Sequence, residues 1–278
     1  MRKQSLLAGL AFAALSSTAF AADLPSRRAP APYVAVPVFT WTGFYAGVNA
    51  GYIFSDEGRI TTTGNNGAVG IAGTTVNNVF IGARPGSVRN EPEGFTGGGQ
   101  VGYNQQFGNF VVGVEADAAY TDFRRTARVV GTTGATSDFR TDMAFLGTVR
   151  GRLGYAFDRI MVYGTGGLAY ADVENRATFF NAPVPVVVGF EGRRSNIETG
   201  YTAGAGVEYA IPTGFSLFGS NAVTLKAEAL YYDLGRRSVT VAATPFAPAV
   251  NAGQSYNSRF DNSGVIARAG INFKFGTF

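Results

Sequence analysis

Along most of this chain, apolar and polar residues alternate one by one. Eight stretches show the pattern. In 44–54, Phe44, Ala46, Val48, Ala50, Tyr52 and Phe54 oppose Tyr45, Gly47, Asn49 and Gly51. In 95–107, Phe95, Val101, Tyr103 and Phe107 oppose Thr96, Gln100, Asn104 and Gln106. In 110–121, Phe110, Val112, Val114, Ala116, Ala118 and Tyr120 oppose Glu115, Asp117 and Thr121. In 143–157, Met143, Phe145, Val149, Leu153, Tyr155 and Phe157 oppose Thr148, Arg150 and Arg152. The fifth, 160–171, is weaker: Ile160, Val162, Leu168 and Tyr170 lie opposite Met161, Tyr163 and Thr165. Then Tyr201, Ala203, Ala205, Val207, Tyr209 and Ile211 face away from Thr202, Gly204, Gly206 and Glu208. Val223, Leu225, Ala227, Ala229 and Tyr231 oppose Thr224, Lys226 and Glu228. Val265, Ala267, Ala269, Ile271, Phe273 and Phe275 oppose Arg268, Asn272 and Lys274. Period two predicts strands with one apolar face each.

The connections alternate as well. Gly108-Asn109, Asp158-Arg159 and Pro212 to Asn221 are short; 55–94, 122–142, 172–199 and 233–263 are long. Long loops at one end and short turns at the other are the habit of outer-membrane barrels. Charge placement agrees. Glu115, Asp117, Arg150, Arg152, Glu208, Lys226, Glu228, Arg268 and Lys274 all share the parity opposite the large apolar residues. A soluble sandwich would turn its apolar face inward. A membrane barrel does the reverse, since Lys or Arg facing lipid at the midplane costs about 2–4 kcal/mol.

The expectation is an all-β fold: an eight-stranded antiparallel up-and-down transmembrane barrel over residues 42–278. Ten strands are the alternative, if residues 58–83 form an extra hairpin from Thr61-Thr62-Thr63 and Thr75 to Ile81. Composition supports a barrel. The chain is 46% hydrophobic and 15% charged, yet holds no apolar run beyond the N-terminus long enough for a spanning helix. Its 38 glycines and its aromatic content suit a curved sheet with aromatic belts.

The N-terminus reads as an export signal over residues 1–21. Arg2 and Lys3 lead, Leu6 to Leu15 form an apolar run, and Ala19-Phe20-Ala21 offers a small-x-small cleavage site. Cleavage after Ala21 would remove two positive charges and lower the formal net charge from +4 to +2. That leaves no case for nucleic acid. Residues 22–41 read as a periplasmic linker, interrupted by Pro25, Pro30, Pro32 and Pro37.

Several stretches resemble a known family. Trp41-Thr42-Gly43-Phe44-Tyr45-Ala46-Gly47 is similar to the opening of small alphaproteobacterial outer-membrane surface antigens, the RopB-type porin-like proteins. Tyr163-Gly164-Thr165-Gly166-Gly167-Leu168-Ala169-Tyr170, Gly204 to Tyr209 and Lys226 to Gly235 resemble later strands of the same family. The resemblance implies an eight-stranded opacity-type barrel in the outer membrane, with members described as porins or haemin binders. The final strand resembles the assembly signal of such barrels through Arg268, Gly270, Phe273 and Phe275. The chain then continues to Phe278, so either Phe275 or Phe278 is the working residue for the barrel assembly machinery.

Candidate chemistry is sparse. The chain has no histidine and no cysteine, which removes the usual general bases and soft metal ligands. Neither catalytic nor metal nor cofactor residues are expected, and the protein reads as no enzyme. Haemin would need a tyrosine ligand such as Tyr33, Tyr201 or Tyr256, or surface contacts alone. Eight inward charges, Glu115, Asp117, Arg150, Arg152, Glu208, Lys226, Glu228 and Arg268, form either a salt-bridged plug or an ion path. Arg124, Arg125, Arg193, Arg194, Arg236 and Arg237 in the long loops are candidate contacts for lipopolysaccharide phosphates. A structural surface antigen, a small porin and a loop-borne haemin binder all remain open, and the sequence sets no oligomeric state.

Overall fold

Strand pairing closes the chain on itself in a computed structural model that describes residues 39–56, 58–181, 187–212 and 219–275. The expected export signal, the linker up to residue 38, Tyr33 and Phe278 lie outside these residues. Among the described residues ten antiparallel strands share one sheet: β1 (Gly43–Ser55), β2 (Arg59–Gly64), β3 (Ser87–Arg89), β4 (Glu93–Phe107), β5 (Phe110–Val130), β6 (Thr136–Phe157), β7 (Ile160–Phe180), β8 (Val188–Ala210), β9 (Ala222–Ala243) and β10 (Ser255–Phe275). β1 pairs with both β4 and β10, which closes a ring of eight. Closure leaves no strand edge in the hydrocarbon, where an unpaired backbone group costs several kcal/mol.

The two remaining strands continue members of the ring. β2 follows β1 after a short break and pairs with the upper part of β10, from Ile60–Phe260 to Gly64–Tyr256. β3 pairs with β2 and leads into β4. The ten-strand alternative is thus met in number, but one arm of its hairpin is misplaced. Thr75–Phe80 is not a strand; it forms a short helix, α1. Gly73 at φ 74° breaks the chain. Thr74 then caps the helix by accepting from the Asn77 amide at 3.3 Å.

The outward face carries the apolar parity. Phe44, Phe107, Phe110, Phe157 and Tyr209 ring the periplasmic end; Tyr52, Phe54, Phe95, Tyr120 and Tyr201 ring the other, all exposed. On β1 the span from Phe44 to Phe54 is about 33 Å of strand, or about 25 Å of height at a tilt of ~40°. That matches the apolar band of an outer-membrane barrel. At the periplasmic end, Gly108 (φ 60°) and Asp158 (φ 54°) open two-residue turns between Phe107–Phe110 and Phe157–Ile160. Positive φ at the first turn residue matches the twist of the strands.

The other end departs from expectation. Residues 122–142, 172–199 and 233–263 are not mainly loop; β5 to β10 run on well past the outer aromatic ring. Charges on the outward face end the lipid-facing pattern there, but water can cover them, so pairing continues. Two irregularities also flip the parity. At Ala144 the register of β6 shifts by one residue, and Met143 turns inward at 3% exposure although it shares Phe145's parity. At Gly235 (φ 78°) β9 shifts against β10, so the inward set changes from Leu230, Tyr232 and Leu234 to Val239 and Val241.

Buried side chains pack inside the ring in successive zones. Trp41, Val111, Ala156, Met161, Tyr163 and Ala210 pack at the periplasmic end with Phe39 against them. Trp41 follows the proline-rich stretch, yet it is fully buried and its Nε1–H donates to the Asp158 carbonyl at 3.1 Å. Above the charged zone lie Ile53, Phe123, Met143, Leu146, Val173, Leu230, Tyr232, Leu234 and Ile266. The extension beyond the membrane has a core of its own, with Phe139, Phe179, Phe190, Val241, Tyr256 and Phe260 at its centre. Met143→Ala is expected to destabilise the barrel by about 2–4 kcal/mol, as for a buried core methionine, and Phe145→Ala by less. Equilibrium urea unfolding in lipid vesicles measures both.

Candidate functional site

The eight inward charges named from the sequence meet in the middle of the lumen, and all are at most 6% exposed. β5 supplies Glu115 and Asp117, β6 Arg150 and Arg152, β8 Glu208, β9 Lys226 and Glu228, and β10 Arg268. Alternation brings them to one face; the antiparallel register brings them to one height. Glu115 lies directly across from Arg150, Glu208 from Lys226, and Glu228 from Arg268.

Arg150 sits at the centre. Its Nη2 contacts Glu115 Oε1, lies 3.0 Å from Asp117 Oδ2 and lies 3.3 Å from Glu228 Oε1, while its Nε–H donates to Thr148 Oγ1 at 2.9 Å. Arg268 grips Asp117 with both Nη atoms at 3.0 Å and reaches Glu228 through Nε. Lys226 Nζ lies 3.0 Å from Glu115 and 3.5 Å from Glu228. Arg152 bridges Glu115 at 3.3 Å and Glu208 at 2.8 Å, and its guanidinium stacks 3.9 Å from the Tyr163 ring centroid. Tyr45 and Tyr163 donate to Glu115 and Glu228, both at 2.8 Å. Four cations thus face four carboxylates. Below them Lys274 Nζ donates to the Thr40 carbonyl at 3.1 Å and lies over the Phe39 and Trp41 rings.

This arrangement neutralises itself. Each of the four carboxylates is engaged by at least one cation, and no cluster of three potential metal ligands occurs among the described residues. Uncharged side chains extend the network: Gln100 and Asn272 join through an amide contact, and Asn272 donates to Glu208 at 3.0 Å.

A scan of known families matches residues 7–275 to the outer membrane protein beta-barrel domain. The chain belongs to this family. Within it, the chain is 35% identical to the 31 kDa outer-membrane immunogenic protein of Brucella melitensis, across 98% of this chain and all of that protein. It is 24% identical to the 25 kDa outer-membrane immunogenic protein of Brucella abortus over 98% of each. It is 34% identical to the 22 kDa outer membrane protein of Rhizobium leguminosarum over 49% of this chain and 52% of that one. Among solved structures, the outer membrane protein OprG from Pseudomonas aeruginosa aligns with a TM-score of 0.46 at 17% identity, covering 85% of this chain and 97% of that one. The protein is therefore an alphaproteobacterial-type outer-membrane barrel, as the strand motifs implied.

The other named residues separate. Gly270, Phe273 and Phe275 lie on β10 where it closes the ring, with Phe275 opposite Phe44. The six loop arginines all lie beyond the outer aromatic ring, and each has a protein partner. Arg124 pairs with Asp122 at 2.8 Å, Arg125 donates to the Glu91 carbonyl at 3.1 Å, and Arg193 pairs with Glu174 at 2.7 Å. Arg194 pairs with Glu198 at 3.3 Å, Arg236 pairs with Asp261 at 3.0 Å, and Arg237 contacts Glu198. Tyr201 is exposed at the outer ring and bonds Asp233, whereas Tyr256 is buried in the extracellular core and accepts from Asn78.

One residue carried no sequence signal. Arg84, in the first loop, plunges into the extracellular core. It donates to the Thr136 carbonyl at 2.8 Å and the Phe180 carbonyl at 2.7 Å, and lies over the Phe179 ring. Burial pushes its guanidinium below the ordinary range. It fastens the loop that carries α1 across the top of the barrel. A lone arginine in a long loop looks like any solvated charge, so only the fold reveals it.

Replacing Arg150 by Met strands Glu115, Asp117 and Glu228 without their shared partner. The expected cost is about 3–5 kcal/mol, the usual result of breaking a buried ion pair from one side. Trp41, the single tryptophan, is fully buried at the periplasmic end. Its emission against urea reads the loss.

Proposed function

We propose that the protein is a closed structural barrel and surface antigen of the outer membrane, neither a channel nor an enzyme. The filled lumen carries this reading. Apolar layers lie below and above the charged belt, and the belt's own groups are spent on one another. An ion would have to displace salt bridges and then pass two apolar layers. The absence of histidine and cysteine from the chain supports a non-catalytic role. The surface-antigen part draws on the names of the Brucella relatives, which call them immunogenic, and on the tall extracellular extension this chain builds.

The same reading includes export by a signal cleaved after Ala21 and insertion by the barrel assembly machinery through Phe273 and Phe275, or Phe278. It places lipid and lipopolysaccharide around the barrel. Arg124, Arg125, Arg193, Arg194, Arg236 and Arg237 would then meet phosphates at the outer rim while holding their intramolecular partners. A small porin is the competing reading. Planar-bilayer recording decides between them: the folded chain is expected to insert without stable conductance steps. Reproducible open steps above the leak would establish the porin.

A further inference from the structure

A polar groove of about 700 Å³ opens on the outer wall where β2, β3, β9 and β10 rise past the membrane. Its principal charges are Arg59, Arg89, Arg236 and Arg259, with Asp56, Glu91 and Asp261. Parity puts these side chains on the outside, because their neighbours Ile60, Val88 and Phe260 are buried in the extracellular core.

Its height is set by the aromatic ring below. Arg59 lies five residues beyond Phe54, Arg236 five beyond Tyr231, Arg89 six from Phe95 and Arg259 six from Val265. With the carboxylates nearer the ring and Thr63 and Asn257 farthest from it, the groove spans roughly 5–20 Å above it at ~2.5 Å of height per residue. That is the layer of lipid headgroups and of the first sugars attached to them.

Its charges are unevenly matched. Arg89 pairs with Glu91 at 3.3 Å, and Arg236 pairs with Asp261 at 3.0 Å. Arg59 and Arg259 have no ion pair among the described residues, and Arg59 lies directly across the β2–β3 ladder from Arg89. Like charges placed opposite each other repel unless an anion is shared between them. Two uncommitted guanidinia in a groove lined by threonine hydroxyls match a phosphate carried on a hydroxylated ring.

We propose that this groove binds the phosphorylated sugar headgroup of an outer-leaflet glycolipid. The phosphate sits between Arg59 and Arg259, and the sugar hydroxyls lie along Thr61 and Thr63. The site rests on the barrel's placement in the outer membrane and specifies where its wall reads a lipid. Its phosphate-holding residues, Arg59 and Arg259, are not among the loop-arginine clusters; Arg236 belongs to both.

Native mass spectrometry of the full chain in detergent tests it, with a bisphosphorylated diglucosamine lipid as probe. The wild type is expected to bind that lipid at least about tenfold more tightly than its dephosphorylated form. Arg59→Gln with Arg259→Gln should remove the preference. Arg140→Gln with Arg176→Gln, on the far wall, should retain it. Equal binding of the two lipids by wild type, or an undiminished preference in the groove variant, overturns the proposal. Free glucosamine phosphate binding as tightly as the lipid overturns the lipid source in favour of a soluble ligand. Barrel closure is read separately, by the heat-dependent shift in gel mobility. A closed barrel that binds no lipid in any arm removes the site and leaves the membrane placement standing.

Discussion

Four cations and four carboxylates buried together in a narrow lumen must neutralise one another, and the barrel is arranged around that requirement. Each unpaired ion there would cost several kcal/mol. Glu115–Arg150, Glu208–Lys226 and Glu228–Arg268 are direct cross-strand neighbours. They therefore pin the register of three adjacent strand pairs. A slip of one residue would turn a charge outward into lipid and an aromatic inward into the belt. The same ions require apolar layers on both sides, which Trp41 and Met161 supply below and Leu146, Leu230 and Ile266 above.

The outward face obeys a different solvent at each height. Between the aromatic rings lipid selects apolar residues on one parity without exception for charge. Above the outer ring, water admits arginine and carboxylate on the wall, while the interior becomes mainly apolar around Phe139, Phe179 and Tyr256, with Arg84 and a few hydrogen-bonded hydroxyls and amides buried in it. The inversion of polarity, from charged inside and apolar outside to the reverse, coincides with the shifts at Ala144 and Gly235. An extra residue there re-aims each strand's side chains as the solvent changes. Arg84 and α1 then close the top, since an apolar interior open to water would be unstable.

Much of this was legible in the chain. The membrane-spanning parts of the strands, the short turns and all eight belt residues followed from period-two alternation and from the cost of charge in lipid. Legibility failed where the alternation changed meaning. Met143 shares Phe145's parity in the sequence yet turns inward, and the one-residue bulge responsible leaves no mark in composition. The upper strands looked like loops because their outward charges resemble loop charges. Thr75 to Ile81 has the β-branched content of a strand, yet its backbone is captured as a helix by the Thr74 cap and by Gln254, which accepts from the Thr75 amide at 3.0 Å.

By itself, then, the sequence determined the barrel, its faces and which charges enter the lumen, because lipid imposes a rule on every second residue that can be read locally. Only the tertiary structure decided that the inward charges meet one another between apolar layers, that Arg150 joins three carboxylates at once, and that Arg59 and Arg259 share a groove with Asn257. Those outcomes depend on which strands become neighbours and at what height, and neighbours far apart in the chain leave no trace in any single stretch of it.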